Sequence, residues 1–132
     1  MIDLKQYQSF VTAVTSDPSS NIDSFNDRVA ELSTQINVPL LLTSAIGMAA
    51  EIGEFCEIPK KMLFQGKPLT DDTLFHMKRE LGDVMWYWMN ACTALNLNPD
   101  DVIQENVRKL ESRYPGGTFN VYASEHRVAT DI

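Results

Sequence analysis

Glu51-Ile52-Gly53-Glu54-Phe55 is one of two matching five-residue stretches in this chain, and Glu80-Leu81-Gly82-Asp83-Val84 is the other. Each runs glutamate, aliphatic residue, glycine, acid, apolar residue, and each lies in a long segment with apolar residues at helical spacing. Acids three residues apart share one side of a helix, so two such helices can bring four carboxylates together. Because that cluster is repulsive without a cation, the pattern predicts a divalent metal site, most simply for Mg²⁺.

Each acid pair is predicted to border the apolar stripe that its helix turns towards the core. The first stripe holds Leu41, Ala45, Met48, Ile52, Phe55 and Cys56, and the second holds Met77, Leu81, Val84, Met85, Trp88, Cys92 and Leu95. If the two helices pack antiparallel, the acid pairs face each other at the edge of the core. Gly53 and Gly82 each cost a helix up to ~1 kcal/mol relative to alanine, so their matched positions predict a close backbone approach.

The rest of the chain predicts helices and no strands, because no segment alternates apolar and polar residues convincingly. The predicted helices cover about 2–15, 22–36, 39–63, 71–96 and 99–113. Pro59 is expected to bend or end the third of them near its last turn, and 118–132 is expected to form an extended tail. The predicted fold class is therefore all-α, a bundle of about four to five helices with a core completed by oligomerisation.

Composition excludes several classes of protein. The 132 residues carry a net charge of -7, which argues against a nucleic-acid binder because such a protein needs a basic face. Cys56 and Cys92 are interpreted as buried small hydrophobes in a reducing compartment. The first residues are not typical of a signal peptide, and no apolar run approaches the ~20 residues that span a bilayer. We therefore expect a cytoplasmic protein with no membrane partner.

Cationic and aromatic residues near the acids are candidates for binding an anionic substrate. Asn106, Lys109 and Arg113 share one face of the last long helix, which alone would be an ordinary solvated face but beside an acid cluster is typical of phosphate binding. Lys61 follows Glu54 by two turns and could instead be an ordinary cation near a helix C-terminus. Three aromatic and imidazole candidates remain. Tyr87 is within reach of the acids, Trp86 is favoured as an interface residue, and His76 is favoured as a surface residue.

At this point the chain resembles the MazG-like nucleoside triphosphate pyrophosphohydrolases of the all-α NTP pyrophosphatase superfamily. The family signature is Glu-x-x-Glu, a spacer, then Glu-x-x-Asp, and here 25 residues separate Glu54 from Glu80. The residues around both acid pairs are also similar, as are Lys60-Lys61, Asn106-Val107-Arg108-Lys109-Leu110 and Arg113-Tyr114-Pro115. The likeness covers about 40–117 and implies one MazG-like domain over 1–132. Its parts are N-terminal helices in 1–37, a metal- and nucleotide-binding core in 38–114 and a tail in 115–132.

The resemblance implies Mg²⁺-dependent cleavage of an NTP or dNTP between its α and β phosphates, with Mn²⁺ able to replace Mg²⁺. It also implies a homo-oligomer, either a dimer or a dimer of dimers. The implied metal ligands are Glu51, Glu54, Glu80 and Asp83, with Glu54 also the candidate base. The implied substrate-binding residues are Lys61, Lys109 and Arg113 for the phosphates, with Asn106 and Tyr87 positioning the nucleotide.

Two alternatives stay open at the level of sequence. One is a non-enzymatic acidic helical module that binds a partner through Trp86, Phe119 and the tail. The other is a di-iron carboxylate protein, which needs Glu-x-x-His on its helices. Neither His76 nor His126 is placed that way.

Overall fold

Every regular element is a helix in the part of the chain that the structure, a computed structural model, describes, which is 2–126. The helices are α1 Leu4–Val14, α2 Asp17–Ser20, α3 Ile22–Leu32, α4 Val38–Gln65, α5 Asp71–Ala94, α6 Pro99–Arg113 and α7 Val121–Glu125. The predicted all-α fold class is confirmed.

Local signals set the ends of the two long helices. The Asn37 side chain accepts the backbone N–H of Leu40 at the start of α4. Gly66 ends α4 in the left-handed conformation, with φ 67°, where a glycine carries no Cβ penalty. Thr70 and Thr73 cap α5 reciprocally. The connection 66–70 is too short for anything but an αα-hairpin, so α4 and α5 run antiparallel.

The contact between α4 and α5 follows a seam of partly or fully buried residues spaced alternately three and four apart. On α4 they are Leu41, Ser44, Met48, Glu51, Phe55, Ile58 and Met62. On α5 they are Thr73, Met77, Glu80, Val84, Tyr87, Ala91 and Ala94. With this spacing, one side of each helix stays in contact with the other helix along the length of the pair. Glu51 and Glu80 therefore lie within the seam, although carboxylates are rare at such positions.

The predicted core stripes are rotated relative to this seam. Ile52 and Leu81 are about half exposed, and Cys56 is exposed, so the prediction that both cysteines are buried is wrong for Cys56. It is correct for Cys92, which is 4% exposed. A helix with apolar residues over a wide arc can present any part of that arc to its neighbour. The choice depends on the fit between the two helices.

Among the glycines of the two helices, Gly47 is the one against which the facing helix packs closely. A Cβ atom added there would lie 2.1 Å from Cε1 of Tyr87, so the aromatic ring occupies the space that any other side chain would need. Apart from the neighbouring residues and backbone of its own helix, no described atom lies within 4 Å of a Cβ added at Gly53 or Gly82. The predicted close approach at those two glycines is therefore not found within the protomer, and Gly47 provides it instead.

Several predicted boundaries differ from the structure, and the helix predicted over 22–36 ends at Leu32. Helix α4 continues through Pro59 to Gln65, so Pro59 does not end it. The tail predicted to be extended contains the short helix α7, because the Asn120 side chain accepts the Ala123 N–H and caps it. Residues 127–132 of that predicted tail lie outside the described part of the chain.

The protomer leaves most of its apolar surface uncovered. Among the described residues the buried apolar core is Val38, Cys92 and Ala94, and extensive helix contacts are limited to α4 with α5 and α2 with α3. The chain exposes 10543 Å², whereas a compact monomer of its 14.9 kDa would expose about 7,000 Å². The excess of about 3,500 Å² per chain is larger than the about 1,000–2,500 Å² that each partner buries in a typical obligate interface.

Helix α4 also meets the length and composition expected of a membrane span. It has 28 residues, and its most apolar 18-residue window has a mean hydropathy of 1.3 with 11% of that window buried. The expectation that no apolar run is long enough is therefore wrong on these two criteria. The core helix of a soluble protein can meet the same criteria, so they are weak signs of a membrane. The absence of a membrane partner and the cytoplasmic location stay predictions.

Candidate metal centre

Three of the four predicted metal ligands meet at one point of the hairpin. Oxygen atoms of Glu51, Glu54 and Glu80 all lie within 4.8 Å of one another. Glu51 and Glu80 reach this point from facing positions of the seam, and Glu54 reaches it from the exposed side of α4, one turn further along. The i, i+3 spacing places both α4 acids there, and the antiparallel hairpin adds Glu80 from α5.

This group suits a hard divalent cation. Mg²⁺ binds oxygen at about 2.0–2.1 Å in an octahedron, so two of its ligands lie about 2.9 Å apart when adjacent and about 4.1 Å apart when opposite. The separations in the group, at most 4.8 Å, need only small side-chain rotations to reach those values. All three donors are carboxylates, which are the ligands that Mg²⁺ and Mn²⁺ prefer. The residues therefore fit a divalent metal.

Asp83, the fourth predicted ligand, is not one of the three grouped residues. Its charge still acts on the group, because Asp83 is among the carboxylates that raise the pKa of Glu51. It is exposed on α5, one turn after Glu80. A role for Asp83 as a metal ligand stays a prediction.

The surroundings of Glu51 shift its pKa. Partial desolvation in the seam raises the pKa of Glu51 above its ordinary value, and the negative charges of Glu54, Asp83 and Glu80 raise it further. A cation at this point would reverse the effect, because it favours the ionised carboxylate. The raised pKa of Glu51 is therefore what a metal-free carboxylate site would show.

The raised pKa predicts how the metal-free protein responds to pH. Between the ordinary and the raised pKa of Glu51, the folded state holds more protons than the unfolded state, so stability falls as pH rises through that window. Mg²⁺ affinity should change in the opposite direction, because protons compete with the cation. Denaturant unfolding with a chelator across the acidic range, compared with Glu51→Gln, measures this contribution. A wild-type profile with the same pH dependence as Glu51→Gln would contradict it.

A cavity of about 410 Å³ opens beside the three carboxylates. Glu54 and Glu80 form part of its wall, together with Gly53, Glu57 and His76. No role is predicted for Glu57 from the sequence, whereas His76 is exposed, as predicted, and also lines this cavity. Helical spacing could have predicted that both residues lie beside the acids. Glu57 continues the series 51, 54, 57, and His76 lies one helical turn before Glu80.

Lys61, a predicted phosphate ligand, is paired with an acid in the structure. Its Nζ lies 3.1 Å from Oε1 of Glu57, and Lys60 pairs with the other oxygen of the same carboxylate. Hydrogen bonds from Lys60 and Lys61 lower the pKa of Glu57, which is therefore ionised. Lys61 also lines a neighbouring cavity of about 340 Å³ that shares Ile58 with the cavity beside the carboxylates. The three charged residues together carry one net positive charge close to the acid cluster.

The predicted substrate ligands of α6 lie elsewhere in the protomer. Asn106 and Lys109 line a cavity of about 970 Å³ between the end of α5 and α6. Arg113 is part-buried in the last turn of α6. Helix α6 makes no extensive contact with α4 or α5 within 2–126, so one protomer does not bring these residues to the carboxylates. Tyr87 lies in the seam against Gly47, two turns beyond Glu80.

An antiparallel helix pair with convergent carboxylates and an adjacent cavity defines a class of all-α proteins able to hold a divalent metal between two helices. Residues 42–118 match the family described as the MazG nucleotide pyrophosphohydrolase domain, and the chain belongs to this family. All three grouped glutamates lie inside the matched range.

One relative among curated proteins is the Gene 37 protein of Mycobacterium phage L5. It is 34% identical over 75 residues, which cover 56% of this chain and 66% of the relative, just under two thirds of its length. No solved structure matches the chain significantly.

Proposed function

We propose that the protein hydrolyses a nucleoside triphosphate, either an NTP or a dNTP, to the monophosphate and pyrophosphate in a Mg²⁺-dependent reaction. The observation that carries the proposal is the group formed by Glu51, Glu54 and Glu80 inside the MazG domain. Membership of the family supports the pyrophosphohydrolase class, and the donor set supports a hard divalent cation.

We assign different roles in the reaction to the residues of the group. Glu51 and Glu80, which lie in the seam, would hold the cation, and that cation would neutralise charge on the triphosphate and polarise the attacked phosphorus. Glu54 is the exposed member and faces the cavity, so its carboxylate is placed to accept a proton from the attacking water. Asp83 adds negative charge beside Glu51 and strengthens attraction for the cation.

Phosphate binding needs cations as well, because the chain carries a net charge of -7. Lys61 pairs with Glu57, which lines the cavity beside the carboxylates, so it is the predicted cation nearest to that cavity in the same hairpin. The α6 residues Asn106, Lys109 and Arg113 would act on the substrate if oligomerisation brings α6 of one copy close to the three carboxylates of another. Tyr87, which lies in the α4–α5 seam two turns beyond Glu80, would position the nucleotide.

We further propose that the protein is a homo-oligomer, either a dimer or a dimer of dimers. The surface of the chain, 10543 Å², exceeds that of a compact monomer by about 3,500 Å². This excess supports the assembly. Half-exposed apolar residues of α4 and α5, such as Ile52, Leu81 and Met85, are suited to bury against another copy.

The bond that is cleaved distinguishes this function from other phosphatase activities. We expect a panel of NTPs and dNTPs with Mg²⁺ to yield a monophosphate and pyrophosphate, with no diphosphate, when products are separated by anion-exchange chromatography. An analogue with a methylene group between the α and β phosphorus atoms should resist cleavage. Equal cleavage of the analogue and the normal substrate would refute attack at the α–β bond.

The second candidate is an acidic helical module that binds a partner without catalysis. The observation that favours it is the exposure of two large aromatic side chains, because Trp86 is 58% exposed and Phe119 72% exposed. Metal-dependent release of pyrophosphate separates the two candidates, because a binding module releases none.

A further inference from the structure

We propose that His76 is a substrate-binding residue that donates a hydrogen bond to a phosphate oxygen of the nucleotide. This inference rests on the proposed triphosphate hydrolysis and deepens it, because it names a side chain that contacts the phosphate chain next to the carboxylates. Neither the family signature nor the face of α6 includes this residue.

The position of His76 in the hairpin is the first argument. It precedes Glu80 by one turn of α5, so both side chains leave the helix on the same side. The structure places His76, Glu54 and Glu80 together in the wall of the 410 Å³ cavity. A triphosphate whose cation is held by the carboxylates must extend into the space next to them, and this cavity is that space.

The chemistry of the cavity wall is the second argument. Its polar side chains are the carboxylates of Glu54, Glu57 and Glu80 and the imidazole of His76. An ionised carboxylate only accepts hydrogen bonds, so His76 is the side chain of this wall that can donate one to an anionic oxygen. An imidazole keeps at least one N–H whether it is neutral or charged, so the contact does not depend on its protonation.

The surroundings of His76 leave this N–H available. Within 2–126 no hydrogen bond or ion pair of its ring is found, and its aromatic neighbour is Phe75 with an edge-on ring 6.3 Å away. The ring is also not among the side chains whose ligand atoms converge within 4.8 Å. His76 is therefore placed beside the metal group and outside it, where a phosphate bound to the cation would lie.

The charge of Glu57 does not oppose this assignment. Lys60 and Lys61 both pair with its carboxylate, and the trio carries one net positive charge. A divalent cation on the three grouped glutamates would offset two of their three negative charges, which lowers the repulsion that an anionic phosphate chain meets as it approaches His76.

The test compares His76→Ala and His76→Gln with His126→Ala, a control that removes the other histidine of the chain. His126 stacks on Tyr122 with ring centroids 4.0 Å apart, in a segment for which no role in the site is argued. Calorimetric titration measures three affinities for each protein: Mg²⁺ alone, inorganic tripolyphosphate with Mg²⁺, and an α,β-methylene nucleoside triphosphate with Mg²⁺. Tripolyphosphate has no base or sugar, so it reports contacts to the phosphate chain alone.

We expect His76→Ala to weaken tripolyphosphate and analogue binding by about tenfold or more, as for a lost hydrogen bond to a charged group, with Mg²⁺ affinity unchanged. His76→Gln, which keeps an N–H donor, should recover part of the loss, and His126→Ala should match the wild type. Unchanged tripolyphosphate affinity in His76→Ala would overturn the proposal. So would a parallel loss of Mg²⁺ affinity, since His76 would then be a metal ligand.

The binding measurements keep this inference separate from the proposed reaction. If the wild type binds tripolyphosphate but releases no pyrophosphate from any nucleotide, the proposed hydrolysis fails, while the His76 comparison still decides whether this residue contacts phosphate. If the wild type hydrolyses nucleotides and His76→Ala binds and turns over like the wild type, the inference alone fails. If the wild type binds neither tripolyphosphate nor the nucleotide analogue, both the proposed hydrolysis and the His76 inference are overturned.

Discussion

Glu80→Gln is expected to reduce Mg²⁺-dependent pyrophosphate release by about 100-fold or more while leaving the protein folded. Glu80 is the α5 member of the three-carboxylate group, so without its charge the cation would be held from α4 alone. Removing one group that holds or stabilises charge in a reaction centre typically costs about 100- to 1,000-fold in turnover. The amide keeps the shape of the side chain, so the seam should remain packed.

Glu80→Gln should not destabilise the metal-free protein, although it reduces turnover. Glu80 is one of the charges that raise the pKa of Glu51, so the amide removes repulsion and should make the metal-free protein at least as stable as the wild type. Steady-state kinetics with varied Mg²⁺, together with denaturant unfolding in a chelator, measure both effects.

A suitable control for Glu80→Gln is Glu31→Gln on α3. Glu31 forms an exposed ion pair with Arg28, and such pairs contribute about 0–1 kcal/mol to stability. The control should retain wild-type kinetics. Full activity in Glu80→Gln would show that the group does not hold the catalytic cation.

Gly47→Ala is expected to destabilise the folded protein by about 1–3 kcal/mol, because an added Cβ would overlap the Tyr87 ring in the α4–α5 seam. The higher helix propensity of alanine offsets at most ~1 kcal/mol of this cost. The ring must shift to admit the methyl group, and Tyr87 is also a proposed nucleotide-positioning residue. Nucleotide affinity should therefore fall along with the denaturant midpoint.

Gly53→Ala provides the matched comparison on the same helix. Apart from the local backbone of α4, no described atom lies within 4 Å of a Cβ added at Gly53, so the substitution should stabilise the helix by up to ~1 kcal/mol in the protomer. Equal destabilisation by the two alanines would contradict the assignment of Gly47 as the point of closest approach. It would also indicate that an assembled copy covers Gly53.

The helical architecture could be predicted from the sequence because its signals are local. Pro99 and Asp100 open α6, Gly66 ends α4, and Thr70 caps α5, and each acts through residues within one turn. The pairing of Glu51 with Glu54 also follows from helical geometry alone. The sequence therefore determined the fold class and most helix positions.

The rotation of each helix about its own axis was decided only by tertiary packing. Cys56 is exposed and Glu51 lies in the seam because the two helices meet along the line set by Tyr87 on Gly47. Apolar arcs on α4 and α5 are wider than the contact, so periodicity could not choose which part of each arc is covered.

Side-chain partners depend on the same packing. Periodicity placed Lys61 near the acids, but the structure pairs it with Glu57. It also brings His76 into the cavity wall beside Glu80 and leaves α6 apart from the carboxylates within the protomer. A sequence records which residues share a helix face. Which faces meet depends on the fit of side chains that are distant in the chain, and so only the tertiary structure decides it.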